Sequence, residues 1–385
     1  MIRPIYLDYA AATPLDQRVI DVMRPFWADA FYNPSSSYLA AKGVRQALED
    51  ARGRVAHWLG AKHAEVIFTA GATESINLAI HGIMRRYPEA AIAVSAIEHE
   101  AVLACASQYT HKMIAVRKDG TVDVASLRQV IDDTTVLVSV TAANNEIGTI
   151  QPLKEIAGAL AEIRRLRHLR NNKLPLYLHT DASQAGMYLD LHASRLGVDL
   201  LTLNGGKMYG PKQSGVLFVK AGIELAPLIL GGGQESGVRS GTENVAACIG
   251  LATALDIAQG ERKEAIAKTA ALRDELQRHI TEALPATIVN GNLKKRLPNN
   301  LHVSWPGIDG ERLLMVLDER GVMASTGSAC AANKQTASHV LVACGLGDDA
   351  VQGSLRLTLG RPTTPEEITQ AADWIIAAVR EVYRA

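Results

Sequence analysis

Between Glu65 and Lys220 the chain alternates short, almost purely apolar runs with longer segments of helical spacing. The runs are EVIFT (65–69), AIAVSAI (91–97), VLVSVTA (136–142), LYLHTDA (176–182), DLLTL (199–203) and GVLFV (215–219). A strand that faces water on one side alternates polar and apolar residues, whereas one covered on both faces is apolar throughout. These runs therefore require a sheet sandwiched between helices, and segments such as ESINLAIHGIMRRY (74–87) and PLKEIAGALAEIRRLRHLR (152–170) can cover it. Strand–helix repetition of this kind leads to a mostly parallel, doubly wound α/β sheet. Ligands in such sheets bind just beyond the carboxyl ends of the strands.

After Gly241 the pattern changes. A long helix-like region covers about 243–283, followed by a strand at LHVSW (301–305), a helix at GERLLMVLDERG (310–321), a strand at SLRLTL (354–359) and a last helix from Pro365. Thr364-Pro365-Glu366-Glu367 combines a capping box with proline at the first helical position, so this helix start is well specified. The 385 residues are long for one core, and this second part reads as a smaller α+β domain.

Lys plus Arg and Asp plus Glu number 40 each, which gives no global field towards nucleic acid or a membrane surface. One local cationic run, RRLRHLRNNK (Arg164–Lys173), reads as a solvated helix end, with a docking patch for an anionic partner as the alternative. No apolar stretch reaches the roughly 18 residues of a membrane span. The N-terminal MIRPIYLDYAAATPLD lacks the apolar core of a signal peptide. Four scattered cysteines, Cys105, Cys248, Cys330 and Cys344, form no zinc-knuckle pair and no disulfide framework. A cytoplasmic protein is expected.

Polar groups stand at successive strand ends. In FTAGATES, Gly71, Ala72 and Thr73 join a strand to a helix, where backbone N–H groups can seat an anion. His99 follows the next run, Asn144 and Asn145 the one after, and Asp181 with Gln184 the one after that. Each alone has a plain explanation as turn or cap chemistry. Together they converge on one crevice. In NGGKMYGPK, Lys207 follows a buried strand and two glycines that let the backbone approach a ligand closely. An anion seat, a lysine and a carboxylate suit pyridoxal phosphate, which needs a lysine for its Schiff base and an acid for its ring nitrogen. Lys212, behind Pro211, is expected to be structural or peripheral. Far away in sequence, Cys330 lies in MASTGSACAANKQTASHV, a stretch of small and polar residues in which a thiol is expected to be exposed and reactive. The other three cysteines read as core.

The motifs YLDYAAATP, YNPSS, FTAGATESINLAI, EHEAV, NNEIG, TDASQ, K-x-YGPK, RSGTEN, STGSAC and LRLTLGR stand in an order that resembles the cysteine desulfurases of the NifS/IscS kind, related to class V aminotransferases. The resemblance covers essentially the whole chain. It implies a pyridoxal-phosphate enzyme of fold type I, with a seven-stranded, mostly parallel sheet and helices on both faces. It further implies a large cofactor-binding domain at 14–255 and a small domain at 1–13 and 256–385 carrying a mobile cysteine loop at about 324–338. By position, Lys207 is the Schiff-base lysine, Asp181 pairs with the ring nitrogen, Gln184 and Asn145 reach the phenolic oxygen, and His99 stacks on the ring and moves protons. Ala72 and Thr73 hold the phosphate, with Asn204, in place of the family's serine, expected to help in this chain, and Thr242 reaches the phosphate of a neighbouring subunit, which implies a homodimer. Arg356, with Asn33 and Asn145, binds the carboxylate of L-cysteine. Cys330 takes the sulfur as a persulfide and passes it to an acceptor protein serving iron–sulfur assembly, tRNA thiolation or DNA phosphorothioation. No intrinsic metal is implied, and Cys330 is a candidate transient iron–sulfur ligand. The alternatives are a selenocysteine lyase or another β-eliminating lyase on the same fold, and a scaffold that recruits a nucleic-acid-modifying partner through Arg164–Lys173.

The chain departs from the pattern in places. The family has Ser-x-His before the lysine, both side chains bonding the phosphate, where this chain has Asn204 and Gly206. A family histidine after NPSS-x is Tyr38 here. The chain stops at Ala385, soon after its last helix, whereas relatives with a longer tail use it to dock a scaffold for iron–sulfur assembly.

Overall fold

The computed structural model describes residues 4–326 and 337–384. Strands are numbered along the chain, and β1 (Ile5–Tyr6) lies apart from the main sheet. That sheet contains β2 (Val66–Thr69), β3 (Ala91–Ser95), β4 (His111–Ile114), β5 (Thr135–Ser139), β6 (Tyr177–Asp181), β7 (Leu200–Asn204) and β8 (Gly215–Val219). Their order is β2-β8-β7-β6-β5-β3-β4. The five strands from β7 to β4 are parallel, while β8 runs antiparallel to both of its neighbours.

Coverage of both faces explains the unbroken apolar runs. Ala93, Val138, Leu178, Leu201, Val216 and Phe218 join one core with the helices Leu39–Leu59, Leu153–Leu169 and Val245–Gly260. Their strand neighbours Ile92, Leu137, Leu200 and Leu217 join a second core with the helices Ala72–Met84 and Glu100–Ala106. Strand β4 has no apolar run to announce it. It is the edge, paired only with β3, and its His111 and Met113 are exposed as an edge strand tolerates. With it the sheet reaches the seven strands that the family resemblance implies.

The helix-like stretch over 243–283 is two helices, Val245–Gly260 and Arg262–Ala283, broken at Glu261. The Glu261 carboxylate accepts from Arg18 at 2.6 Å and from Arg361 at 3.3 Å. The second helix is shared. Ala265 packs into the first core, while Leu272, Leu276 and Ile280 pack into a separate one. That separate core lies on a small antiparallel sheet of β9 (Ile288–Val289), β10 (Asn300–Ser304) and β12 (Ser354–Thr358), in the order β12-β10-β9. Strand β11 (Val322–Met323) pairs in parallel with β1. The last helix, Pro365–Arg384, begins with its capping box closed: Glu367 N–H donates to Thr364 Oγ1 at 3.2 Å, and Thr364 N–H to Glu367 Oε2 at 3.1 Å.

The Arg164–Lys173 run fastens a helix end to the base of the sheet. Arg164 pairs with Asp199 at 2.5 Å and Arg170 with Asp133 at 3.3 Å. Arg167 departs from the expected solvated helix end: it is 2% exposed and donates to the carbonyls of Thr135, Pro175 and Asp132. Among the described residues no helix is long and apolar enough to cross a membrane.

Candidate active site

A cavity of about 870 Å³ opens at the carboxyl ends of β3, β5, β6 and β7. Nine of the residues singled out from the sequence line it: Ala72, Thr73, His99, Asn145, Asp181, Gln184, Asn204, Lys207 and Arg356. They come from segments up to 284 residues apart (356 − 72), so the sheet is what assembles them.

Strand β7 ends at Asn204, whose Oδ1 accepts from Gly206 N–H at 3.0 Å and caps the single turn Gly205–Lys207. Glycine is required at 205, because a Cβ there would lie 2.1 Å from Ser214 Oγ. At 206 the nearest atom to such a Cβ would be 3.5 Å away, so that position has room for a side chain. The turn delivers Lys207, whose Nζ donates to the carbonyls of Ala10 at 2.7 Å and Ala11 at 2.5 Å. Gln184 Nε2 donates to the same Ala10 carbonyl at 3.0 Å. Lys212 is exposed and is not among the lining residues.

Asp181 closes β6 and is 7% exposed. Its Oδ1 accepts from Ser183 N–H at 2.9 Å and Ser183 Oγ–H at 2.5 Å. Among the described residues Oδ2 accepts no bond, which leaves it to receive a cationic N–H. His99 caps the helix Glu100–Ala106, with Nδ1 accepting from Ala101 N–H at 3.1 Å. A neutral imidazole that accepts at Nδ1 carries its proton on Nε2.

The anion seat is the start of the helix Ala72–Met84. Gly71 has φ 116°, and a Cβ on it would meet nothing within 4 Å, so the backbone N–H groups here are open to a ligand. Glu74 in the first turn is paired with Arg239 at 2.9 Å.

Arg356 lies on β12 and is 3% exposed. It pairs with Asp8 at 2.7 Å, and its Nη1 donates to the Asn145 carbonyl at 3.2 Å. These contacts fix a planar fork at the cavity wall, the geometry that recognises a carboxylate.

Two buried carboxyls complete the wall, and the motif reading gave neither of them a role. Glu98 is fully buried. Its Oε1 accepts from Ser95 Oγ–H at 2.5 Å and Thr141 N–H at 2.7 Å, while Oε2 has no partner among the described residues. Burial pushes its acid up to about 8 despite those two bonds, and nearby Asp181 pushes the same way. Burial likewise raises Glu146, whose Oε2 accepts from Ser338 Oγ–H at 2.5 Å. His339 Nε2 bonds the Glu98 carbonyl at 3.0 Å. The EH and NNE sequences were the available signals, but only the folded neighbours reveal that burial outweighs the bonds to Glu98 and, at Glu146, the nearby Arg356 as well.

Thr242 and Asn33 are not among the lining residues. Both are exposed, and Asn33 Oδ1 accepts from Ser35 N–H in a local turn. Cys330 lies outside the described residues. The remaining cysteines are buried, and burial raises every one of their thiols, Cys105 and Cys344 to about 11.

An amine on the floor, a carboxylate with a free oxygen, and an open helix start fit pyridoxal phosphate, and each of those three features is present in the folded chain. The comparisons agree. The model of the family described as Aminotransferase class-V matches residues 5–370. The chain belongs to this family. Within it, a protein named cysteine desulfurase IscS 1 from Archaeoglobus fulgidus is 40% identical over 371 residues, covering 94% of each chain. A solved structure described as a NifS-like protein superimposes with a TM-score of 0.89 at 31% identity, over 98% of this chain and 100% of that one. Another, described as SspA in complex with cysteine, gives 0.78 at 31% identity, over 92% and 98%.

Proposed function

We infer that the cavity is the active site of a cysteine desulfurase and that Cys330 receives the sulfur. The chain is a pyridoxal-phosphate enzyme that converts L-cysteine to L-alanine. One observation carries the assignment of Cys330: its stretch is flanked on one side by a residue paired with Arg356 of the cavity wall and on the other by Ser338, which lines the wall itself. Ser325 bridges Arg356 through the backbone at 2.6 Å, and Ser338 bonds Glu146 at 2.5 Å. The raised thiols of Cys105, Cys248 and Cys344 support the same choice, since the thiolate is the nucleophile.

When bound, pyridoxal phosphate supplies an electron sink for the bonds at the substrate Cα. The residues of the chain do the rest. Gly71, Ala72, Thr73 and Asn204 seat the phosphate. Asp181 would pair with the ring nitrogen through Oδ2, while Ser183 holds Oδ1. Gln184 and Asn145 would hold the phenolic oxygen, and His99, accepting at Nδ1 from Ala101 N–H, would stack on the ring. Arg356 orients the substrate carboxylate, with Asn145 and, in the assembled enzyme, Asn33 contributing. Lys207 Nζ, steadied by the Ala10 and Ala11 carbonyls, takes the Cα proton and returns it. The Cys330 thiolate attacks the substrate sulfur, the Cβ–S bond breaks, Cβ gains a proton, and a Cys330 persulfide and alanine result. An acceptor protein then takes the persulfide sulfur.

The two separate cores support a division into a cofactor-binding part at 14–255 and a smaller part at 1–13 and 256–385 that carries Cys330. A homodimer is supported by exposed apolar side chains beside the two residues that stand outside the cavity. Leu230 (80% exposed) shares a segment with Thr242, while Phe31 and Leu39 flank Asn33. The reactive thiol suits a reducing cytoplasm.

The test is Cys330→Ser. The variant should hold pyridoxal phosphate and still change its absorbance with L-cysteine, yet release no sulfide and form no alanine. Full desulfuration by Cys330→Ser would refute the persulfide route.

A further inference from the structure

The cofactor's phosphate is a dianion, and the residues that line its seat are neutral. Gly71, Ala72, Thr73 and Asn204 bring N–H, hydroxyl and amide groups but no charge. The nearby cation Arg239 is neutralised by Glu74 at 2.9 Å. Asn204 spends its side-chain oxygen on Gly206 N–H. Lys207 is committed to the other end of the cofactor.

The turn after Lys207 bears on this charge deficit. It is packed against both sides of the seat. A Cβ on Gly206 would lie 3.6 Å from Lys212 Cα and 3.6 Å from Lys212 Cγ. The stem of Lys212 therefore runs along the bare face of the glycine between Asn204 and Lys207. Three residues on, a Cβ on Gly215 would lie 2.6 Å from Gly71 C, so this same turn is seated on the start of the helix Ala72–Met84. Lys212 is exposed. Beyond Cγ the stem has two further methylenes, a length that lets the ammonium turn towards the seat beside Gly206.

We propose that Lys212 is a phosphate-binding residue: its ammonium supplies the positive charge of a seat otherwise built from neutral groups. The absence of a side chain at 206 leaves the face along which the Lys212 stem lies. The interaction is a point charge from a flexible stem, so it steadies the phosphate without fixing its orientation, which the N–H groups of the helix start do instead.

This inference rests on the cavity being a pyridoxal-phosphate site, and the test separates the two. Holoenzyme is stripped of cofactor and titrated with pyridoxal 5′-phosphate and with pyridoxal, for wild type, Lys212→Ala and Lys212→Arg. Lys212→Ala should weaken pyridoxal 5′-phosphate by roughly tenfold or more, as expected for one charge-assisted contact. Pyridoxal, which lacks the phosphate, should bind both proteins alike. Added salt should weaken the wild type more than Lys212→Ala, and Lys212→Arg should stay near wild type. Equal affinity of wild type and Lys212→Ala for pyridoxal 5′-phosphate overturns the proposal, as does an equal loss for both ligands, which marks a structural role. Failure of the wild type to bind either ligand removes the site reading itself. If Lys212→Ala does not fold, the salt dependence of wild type for the two ligands decides. A dependence confined to pyridoxal 5′-phosphate and abolished in Lys212→Gln supports it, and none refutes it.

Discussion

Arg356 shows how a buried side chain can be held in a fixed plane at a cavity wall. Asp8 and the Asn145 carbonyl hold two of its nitrogens, which fixes the plane of the guanidinium before substrate arrives. Arg356→Lys keeps the charge but loses the fork, so KM for L-cysteine should rise roughly tenfold or more, on the basis of about 1.5–3 kcal/mol for a charged hydrogen bond. Steady-state kinetics would separate this from a kcat effect, and an unchanged KM would rule out the carboxylate role. Glu98 gives a second expectation at this scale. The folded protein keeps its proton up to about 8, whereas the unfolded chain releases it near the ordinary 4.5. Between those limits the unfolded state binds fewer protons, so the contribution of Glu98 to stability is full below about 4.5 and declines as pH rises to about 8. Glu98→Gln, neutral throughout, should remove that part of the decline. Urea denaturation of both proteins across the window checks it, and parallel curves would contradict a protonated Glu98.

Among the elements, what the sequence announces depends on how each strand is covered. The runs that became β3, β5, β6, β7 and β8 were legible because both faces are buried, and their ends came within a few residues of the folded ones. Strand β4 was not, because an edge strand has only one neighbour to satisfy and carries His111 and Lys112. The break at Glu261 was hidden because apolar spacing continues across it, and the residue that breaks the helix pairs with Arg18 and Arg361 from distant segments. Likewise the motifs placed Lys207 at a strand end, but its partners Ala10 and Ala11 lie 197 and 196 residues away in sequence. The two glycines of the lysine turn differed only in the folded chain: 205 is closed and 206 is open. The same contrast yields a prediction for the turn that leads into β8. Gly215→Ala forces a Cβ to 2.6 Å from Gly71 C, a backbone atom that cannot swing away. It should cost about 1–3 kcal/mol by overpacking, and it should loosen the helix start that seats the phosphate. Gly206→Ala, with 3.5 Å of clearance, should be nearly silent in stability. Denaturant midpoints for the pair decide the matter, and equal losses would mean that the turn is not packed in this way.

At the scale of the whole molecule, the cavity of a single chain is lined without Thr242 or Asn33, and both stand in exposed segments that carry Phe31, Leu39 and Leu230. Apolar side chains that large are costly to leave in water, and in the proposed homodimer a second copy covers them and each Thr242 serves the other copy's phosphate seat. That arrangement makes a prediction that a single-chain site cannot meet. Lys207→Ala removes the lysine from one site, while Thr242→Ala weakens the phosphate seat of the partner's site. In a mixed dimer, the site on the Thr242→Ala chain has its own Lys207 and receives an intact Thr242 from the Lys207→Ala chain. Co-expression of the two variants should therefore give more cofactor binding and more alanine per chain than the mean of the separately purified parents. If Thr242 serves its own chain, every site with a lysine lacks the threonine, and the mixture stays at the mean. Leu230→Asp, which places a charge in the covered patch, should shift the protein towards the monomer in sedimentation and abolish the complementation with it.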